Sequence, residues 1–156
     1  MPHVAAPDGT KLYCEEVGAG TPVVFVHEFA GDHRSWEPQL RFFARSHRCV
    51  TFSARGYPPS DVPTDPHAYG QDIARADVIA VMDALGIVKA HVVGHSIGAY
   101  TAIHVGIRHP ERCFAVAALG CGWGSNPAER DAAKQLCEDI AVLFAREGAP
   151  GEGRWL

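Results

Sequence analysis

The sequence predicts an α/β fold in which a mostly parallel sheet is flanked by helices and preceded by an antiparallel hairpin. Short apolar runs alternate along the chain with longer segments of helical periodicity. Right-handed crossovers through the helices place such runs side by side as parallel strands. The length of 156 residues fits a single domain, 1–156, in which residues 148–156 form a loose polar tail.

The amino-terminal half contains the hairpin, two strands and one helix. A Pro-Asp-Gly-Thr turn at residues 7–10 separates two short extended stretches. The apolar run 23–26 predicts a buried strand, and residues 49–52 predict the next one. Between these strands, Ser35 can cap a helix whose apolar residues recur at helical spacing.

The second half continues the alternation of helix and strand. A loop rich in Gly and Pro over residues 54–66 precedes a helical pattern over 73–83, which ends at the glycine stop Gly86. The elements that follow are a strand at 91–93, a helix at 100–108 stopped by Pro110, a strand at Cys113–Leu119 and a final helix opened by Asn126, Pro127 and Glu129.

The composition excludes several classes of function. Lys and Arg number 14 against 18 Asp and Glu, giving a formal net charge of -4, so we expect no nucleic-acid partner. No apolar run reaches the ~18 residues that span a bilayer, and residues 1–11 lack the apolar stretch of a secretory signal, so we expect no membrane association. Five cysteines without C-x-x-C spacing favour buried thiols in a cytoplasmic protein over disulfides or zinc.

The segment Gly-His-Ser-Ile-Gly at residues 94–98 carries the chemistry. It lies between a predicted strand and a predicted helix, the context in which a G-x-S-x-G pattern forms a nucleophile elbow. Glycine at positions 94 and 98 avoids side chains that would collide with the neighbouring strand and helix. His95 is the residue before the predicted nucleophile. We therefore predict that Ser96 is a nucleophile and that the Ile97 N–H is an oxyanion donor.

Three further segments resemble those of a known family. An apolar strand over 23–26 is followed by His27, Glu28 and Phe29. This segment resembles the strand and the His-Gly-x oxyanion loop of the family. Residues 54–61 resemble its D-x-R-G-x-G-x-S loop, and residues 108–112 resemble the R-x-P-E-R that ends the helix after the nucleophile. With the elbow, these segments resemble the α/β-hydrolase family, which implies a partial form of that fold without its cap and carboxy-terminal strands.

The resemblance also implies a reaction. Because its elbow residue is a serine, the chain resembles the esterases, lactonases, carbon-carbon hydrolases and cofactor-free peroxidases of the family. The dehalogenases and epoxide hydrolases of the family use an Asp nucleophile instead. Phe29 would donate the second oxyanion N–H beside that of Ile97, and Ser96 would attack a small-molecule carbonyl substrate such as an ester or lactone. No cofactor and no metal are implied.

Three positions in these segments need separate interpretation. Glu28 stands where the family usually has glycine, so its carboxylate either points away from the oxyanion hole or impairs it. Ser53 replaces an Asp and is expected to alter a structural hydrogen bond. His27 is expected to fix its loop by hydrogen bonds rather than to act as a base.

The chain provides no obvious base or acid for Ser96. In this fold an Asp or Glu and then a His follow the serine, but His109 is the last histidine, and His104 lies about 12 Å along the helix axis from the nucleophile. His95 and His33 are poorly placed. The late carboxylates are expected to face solvent from an amphipathic helix: Asp131, Glu138, Asp139 and Glu147. We expect the histidine beyond Leu156 and little activity from the chain alone.

The strand Cys113–Leu119 is apolar on both alternating faces and contains no charge, which is typical of a strand that has neighbouring strands on both sides. We expect it to self-associate or to pair with a complementing chain. Two alternatives remain: a non-catalytic binding remnant or a subunit that needs a second chain, and a weaker nucleotide or S-adenosylmethionine site at the Gly-x-Gly-x-Gly of residues 120–124.

Overall fold

A computed structural model of the chain describes residues 3–121 and 126–147. The chain divides into two compact units, Met1–Cys121 and Gly122–Leu156, and each is considered by itself. The predicted tail at 148–156 lies outside the described residues, as does most of the glycine motif at 120–124.

The described elements alternate as the sequence predicts. The strands are β1 His3–Ala5, β2 Lys11–Val17, β3 Thr21–Val26, β4 His47–Phe52, β5 Ala90–His95 and β6 Cys113–Leu119. The helices are α1 Glu37–Phe43, α2 Gln71–Ala84, α3 Ile97–Arg108 and α4 Arg130–Glu147. Short 3-10 turns occupy His33–Trp36, Pro66–Ala68 and Pro110–Arg112.

The six strands form one mixed sheet in the order β1-β2-β4-β3-β5-β6, which confirms the predicted fold class. β1 and β2 form the predicted antiparallel hairpin, β2 pairs antiparallel with β4, and the remaining pairs are parallel. Val26 at the end of β3 lies opposite both Phe52 of β4 and Gly94 of β5. The residues that follow these three strands therefore meet at one edge of the sheet.

The two faces of the sheet carry different parts of the core. Side chains of β3 alternate between the faces, so Val24 packs into the cluster that includes Val78 of α2 and Val105 of α3. Phe25 points to the other face and packs against Trp36, with ring centroids 5.0 Å apart. Helices thus cover the part of the sheet that supports the ends of β3 and β5.

The first helix begins differently from the prediction. Asp32 caps the 3-10 turn His33–Trp36: its carboxylate accepts from the Arg34 N–H at 2.7 Å, while the Ser35 hydroxyl accepts from the Asp32 N–H at 3.3 Å. The N-cap of α1 itself is Trp36, which makes no side-chain cap hydrogen bond. A 3-10 turn comes first, and α1 starts after Trp36 with a proline in its first turn. The prediction of a Ser35 cap for this helix was wrong because Ser35 lies inside the 3-10 turn, where its hydroxyl bonds back to the Asp32 N–H, two residues before α1 begins.

The second unit contains α4. The Asn126 side chain accepts from the Ala128 N–H at 3.1 Å, as a cap does, but the α-helix itself begins at Arg130, one turn later than predicted. Cys137 on this helix is exposed, and Cys113 and Cys121 are only partly buried, so the expectation of buried cysteines holds for Cys14 and Cys49 alone. No helix within the described ranges is long and apolar enough to cross a membrane.

Strand β6 is the last strand of the described sheet and pairs only with β5. None of its residues is buried; Phe114 is 52% exposed and Leu119 is 48% exposed. A strand so apolar ordinarily has cover on both faces. The prediction of a partner for β6 therefore keeps its physical basis.

Candidate active site

Ser96 forms a sharp turn between β5 and α3. It is the one residue between His95, the last residue of β5, and Ile97, the first of α3, and its backbone has φ 52° and ψ -118°. Among the described residues it is the only non-glycine residue with positive φ. The Ser96 N–H donates to the Leu119 carbonyl at the end of β6 at 2.9 Å. Strain of this kind persists only where the surrounding structure enforces it.

The glycines that flank the turn are required by their neighbours. A Cβ at Gly94 would lie 2.1 Å from the carbonyl oxygen of Gly98. A Cβ at Gly98 would lie 2.3 Å from the Val26 carbonyl oxygen and 2.6 Å from that of His27. Both contacts are with backbone, which cannot move aside cheaply. The two glycines therefore let α3 start directly against the end of β3.

We expect Gly98→Ala to destabilise the protein by about 2–3 kcal/mol or more, because the new methyl group overpacks against backbone. Helix propensity alone predicts the opposite sign, a gain of about 1 kcal/mol for alanine over glycine. Gly106→Ala in the same helix is the control, since its Cβ would meet only the end of the Val116 side chain. Urea unfolding gives both free energies, and a stabilised Gly98→Ala variant would contradict the steric account.

His27 fixes the loop that follows β3. The side chain is 3% exposed, its Nδ1 donates to the Glu28 carbonyl at 2.7 Å, and its Nε2 accepts from the Ala54 N–H at 2.9 Å. Its ring also packs edge-on against Tyr57, with centroids 4.8 Å apart. Both ring nitrogens are engaged, so the imidazole is neutral and ties β3 to the loop after β4.

Acid is expected to weaken this connection. Burial lowers the pKa of His27 below its usual 6.5 and outweighs the nearby charges of Glu28 and Asp32. In the unfolded chain a histidine titrates near its ordinary pKa, so the stabilisation is complete above about pH 6.5 and declines as the pH falls toward the lower folded pKa. Protonation at Nε2 removes the acceptor for the Ala54 N–H.

The measurement is urea unfolding at pH 7.5 and pH 5 for the parent and for His27→Gln, whose amide can donate and accept but does not titrate. The variant is expected to lose less stability than the parent between the two pH values, although it is less stable at pH 7.5. The other histidines contribute equally to both proteins. Equal losses in the two proteins would show that His27 does not carry the effect.

The Glu28 side chain is held to one side of its loop. Its Oε1 accepts from the Ser35 hydroxyl at 3.0 Å, and its Oε2 lies 3.5 Å from Nδ1 of His95. Burial raises the pKa of Glu28, but hydrogen bonds from the backbone, Ser35 and His95 outweigh it, so the pKa lies below its usual value. A Cβ at Gly31 would lie 2.2 Å from both Glu28 Oε1 and Ser35 Oγ. Glycine at position 31 thus makes room for an ionised carboxylate.

The two predicted oxyanion donors lie beside one cavity. Phe29 follows β3 and is 55% exposed, and Ile97 is 49% exposed. Both line a cavity of about 470 Å³ between the loop after β3, the loop after β4 and the first turns of α2 and α3. As the first residue of α3, Ile97 has an N–H that no carbonyl within the helix can accept.

No hydrogen bond joins the Ser96 hydroxyl to an imidazole among the described residues. His33 is buried and bonds through Nδ1 to the Ser53 hydroxyl at 2.9 Å. His109 accepts a hydrogen bond from Nη1 of Arg75, a residue of α2, at 2.9 Å. In residues 3–121 and 126–147, no group of three His, Cys, Asp or Glu side chains is arranged to hold a metal ion. The described structure therefore presents a serine without a base.

One buried ion pair near the site was missed by the sequence analysis. The Arg55 guanidinium binds the Asp77 carboxylate of α2 through two hydrogen bonds of 2.7 Å, and it also donates to Asp8 and to the Ala68 carbonyl. Arg55 is 5% and Asp77 is 2% exposed. The Arg-Gly pattern pointed to Arg55, but an isolated Asp in an amphipathic helix gives no signal that it is buried. The pair fixes the wall of the cavity.

Comparisons with known proteins agree with this geometry. A family model described as alpha/beta hydrolase fold matches residues 21–141. An epoxide hydrolase of Caballeronia sordidicola is 35% identical over 73% of this chain and 35% of its own length. A putative carbamate hydrolase RutD of Azorhizobium caulinodans is 32% identical over 96% of this chain and 54% of its own length. The chain thus spans about half or less of these relatives.

Solved structures have the same fold. An N-acyl homoserine lactone degrading enzyme is 35% identical, with a TM-score of 0.70 over 90% of this chain and 54% of its own. An esterase from Thermogutta terrifontis superposes with a TM-score of 0.82 at 24% identity, covering 96% of this chain and 54% of its own. The second likeness supports the fold alone.

Proposed function

Because this chain belongs to the alpha/beta hydrolase fold family, we propose that it carries the nucleophile and oxyanion hole of a serine hydrolase that acts on an ester, lactone or related carbonyl compound. The observation that carries the proposal is Ser96, held with φ 52° where β5 meets α3. A hydroxyl mounted on such a turn stands above the sheet edge with the first N–H groups of a helix beside it.

The proposed reaction is acyl transfer to water. Ser96 Oγ attacks the carbonyl carbon and loses its proton to a base, while the N–H groups of Phe29 and Ile97 hold the oxyanion. The alkoxide leaves with a proton, and water then releases the acid and restores the serine. The histidine base and its acid partner would come from a further polypeptide segment, because no described imidazole reaches Ser96.

The names of the relatives leave the reaction open, since they include epoxide hydrolases, a carbamate hydrolase and an enol-lactonase. The residue at the elbow favours acyl transfer. The epoxide hydrolases of this family use an Asp nucleophile at the elbow. In this chain Ser96 occupies the elbow position. The five free cysteines fit a cytoplasmic location, where thiols stay reduced.

The experiment is chemical rescue with imidazole. Added imidazole is expected to supply the missing base and raise ester hydrolysis above the sum of protein and imidazole rates, toward the lower end of the 10²- to 10⁴-fold that a positioned base contributes. Mass spectrometry after p-nitrophenyl butyrate should detect a butyryl group on Ser96. Ser96→Ala should lose both effects, while Ser46→Ala, an exposed serine, should keep them. A rescue that survives Ser96→Ala would overturn the proposal.

A second candidate function is a binding subunit that needs another chain. The exposed strand β6 favours it, and so does Trp36, which lines a groove beside β6 and has a buried indole N–H without a hydrogen-bond partner among the described residues. We propose that a complementing chain pairs with the outer edge of β6, with self-association as the alternative result. Gel filtration with light scattering tests this, and a stable monomer with no tendency to aggregate would count against it.

A further inference from the structure

The cavity beside Ile97 is mainly apolar where a ligand could touch it. Its walls include the aromatic rings of Phe29, Phe52 and Tyr57 and the methyl group of Ala74. A volume of about 470 Å³ falls within the range of small-molecule sites. Because Ile97 and Gly98 form part of the wall, the cavity borders the turn that holds Ser96.

Most polar groups in the walls already bond to the protein. The Gln71 amide donates to the Thr101 hydroxyl at 3.0 Å, and the Tyr69 hydroxyl donates to the Pro63 carbonyl at 2.8 Å. Arg55 is occupied by Asp77, as described above. Groups satisfied in this way gain little from a polar ligand, and they would lose hydrogen bonds if a ligand pulled them away. The walls therefore favour an apolar occupant.

Tyr57 differs from Tyr69 and Thr101, the other residues of the wall that carry a hydroxyl group. Its hydroxyl makes no hydrogen bond with any residue in the described ranges, although its ring lines the cavity and packs against His27. Burial, together with the charge of Glu28, raises the pKa of Tyr57 to about 12. The hydroxyl thus keeps its proton at neutral pH and can donate one hydrogen bond to a ligand.

We propose that this cavity binds the apolar acyl chain of the substrate, and that the Tyr57 hydroxyl donates to a single oxygen acceptor carried on that chain. The assignment rests on the proposed acyl transfer at Ser96, and it adds which part of the substrate is selected. An ester or lactone whose acyl group is apolar apart from one oxygen acceptor is the matching class. An anionic acyl chain is disfavoured, because Arg55, the cationic residue in the described wall, is already paired with Asp77.

Primary amides of increasing chain length test the cavity without any turnover. Propanamide, butanamide, hexanamide and octanamide are titrated into the Ser96→Ala variant of the full chain and followed by amide chemical shifts in NMR spectra. Affinity is expected to rise about fourfold for each added methylene until the cavity is full. The largest shifts should come from residues around Ala74 and Ile97. Affinity that does not depend on chain length, or shifts confined elsewhere, would overturn the assignment.

Two variants sharpen the test. Ala74→Leu adds side-chain volume inside the cavity and should move the preferred amide to a shorter chain, a change of preference that unfolding cannot imitate. Ala84→Leu, at the exposed end of the same helix, should leave the preference unaltered. An unchanged preference in Ala74→Leu would overturn the assignment.

The role of Tyr57 is tested with 3-, 4- and 5-oxohexanamide. At least one should bind about two- to tenfold more tightly than hexanamide, and Tyr57→Phe should remove that gain while hexanamide binding stays. If no oxo amide gains affinity, or the gain survives Tyr57→Phe, the role of the hydroxyl is refuted.

Failure of the imidazole rescue with the chain-length pattern intact would reject acyl transfer but not the assignment of the cavity. Rescue without chain-length dependence would reject the cavity alone.

Discussion

The isolated chain is expected to hydrolyse p-nitrophenyl butyrate about 10⁶-fold more slowly than a complete serine hydrolase. Removing the histidine from a serine triad costs about as much as removing the whole triad, since the groups act as a unit. The residual rate, about 10³ to 10⁴ over water, would come from binding and the oxyanion hole. The absorbance of released p-nitrophenol, measured in stopped assays, gives the rate constant for hydrolysis.

The same reasoning makes Ser96→Ala nearly silent in the isolated chain without added base. A hydroxyl that cannot transfer its proton contributes little, so the residual rates of parent and variant should agree within about twofold. If Ser96→Ala lowers the parent's unassisted rate by more than about tenfold, an unrecognised base acts within this polypeptide. His95, whose Nδ1 faces Glu28, would be the first histidine to replace.

Arg55→Ala is expected to destabilise the protein by about 3–5 kcal/mol. The substitution leaves the Asp77 carboxylate, 2% exposed, without its cation, and an unpaired buried charge is the main cost of breaking such a pair. The loop after β4 also loses its bond to the Ala68 carbonyl. Urea denaturation followed by circular dichroism measures the free energy of unfolding.

The exposed pair between Arg41 and Glu37 of α1 provides the matched control. Their side chains are 77% and 61% exposed, and Arg41→Ala should cost no more than about 0.5 kcal/mol. The double variant Arg55→Met with Asp77→Leu should be more stable than Arg55→Ala, because it leaves no buried charge. A double variant that is less stable than Arg55→Ala would show that the unpaired charge of Asp77 is not the main cost of breaking the ion pair.

The elbow could be predicted from the sequence because its residue pattern is local: Gly94, Ser96 and Gly98 lie within five positions. The clash avoided at Gly94 is also local, with the Gly98 carbonyl, whereas the clash avoided at Gly98 is with the carbonyls of Val26 and His27, which the fold brings to it from a distant part of the chain. The alternation of strands and helices was likewise visible, since apolar runs report burial directly. Strand ends were less well placed: β4 starts at His47 because it pairs with Thr21 of β3, and its first residues are not apolar.

Long-range polar contacts could not be predicted. The orientation of Glu28 depends on Ser35 and His95, residues brought to it by a loop and by a different strand. The sequence left two orientations open because carboxylate direction is set by partners distant along the chain. For the same reason Asp77 gave no sign of its pairing with Arg55, and Tyr57 gave none of its free hydroxyl.

The hydrogen bond from the Ser96 N–H to the Leu119 carbonyl has a consequence for dissecting this protein. The strained turn is held by a strand that follows it in sequence, so a fragment cut before Cys113 would release the nucleophile into an ordinary backbone conformation. A deletion series from the carboxyl terminus should therefore show a threshold. Fragments that retain Leu119 preserve the geometry at residue 96, and shorter ones lose it.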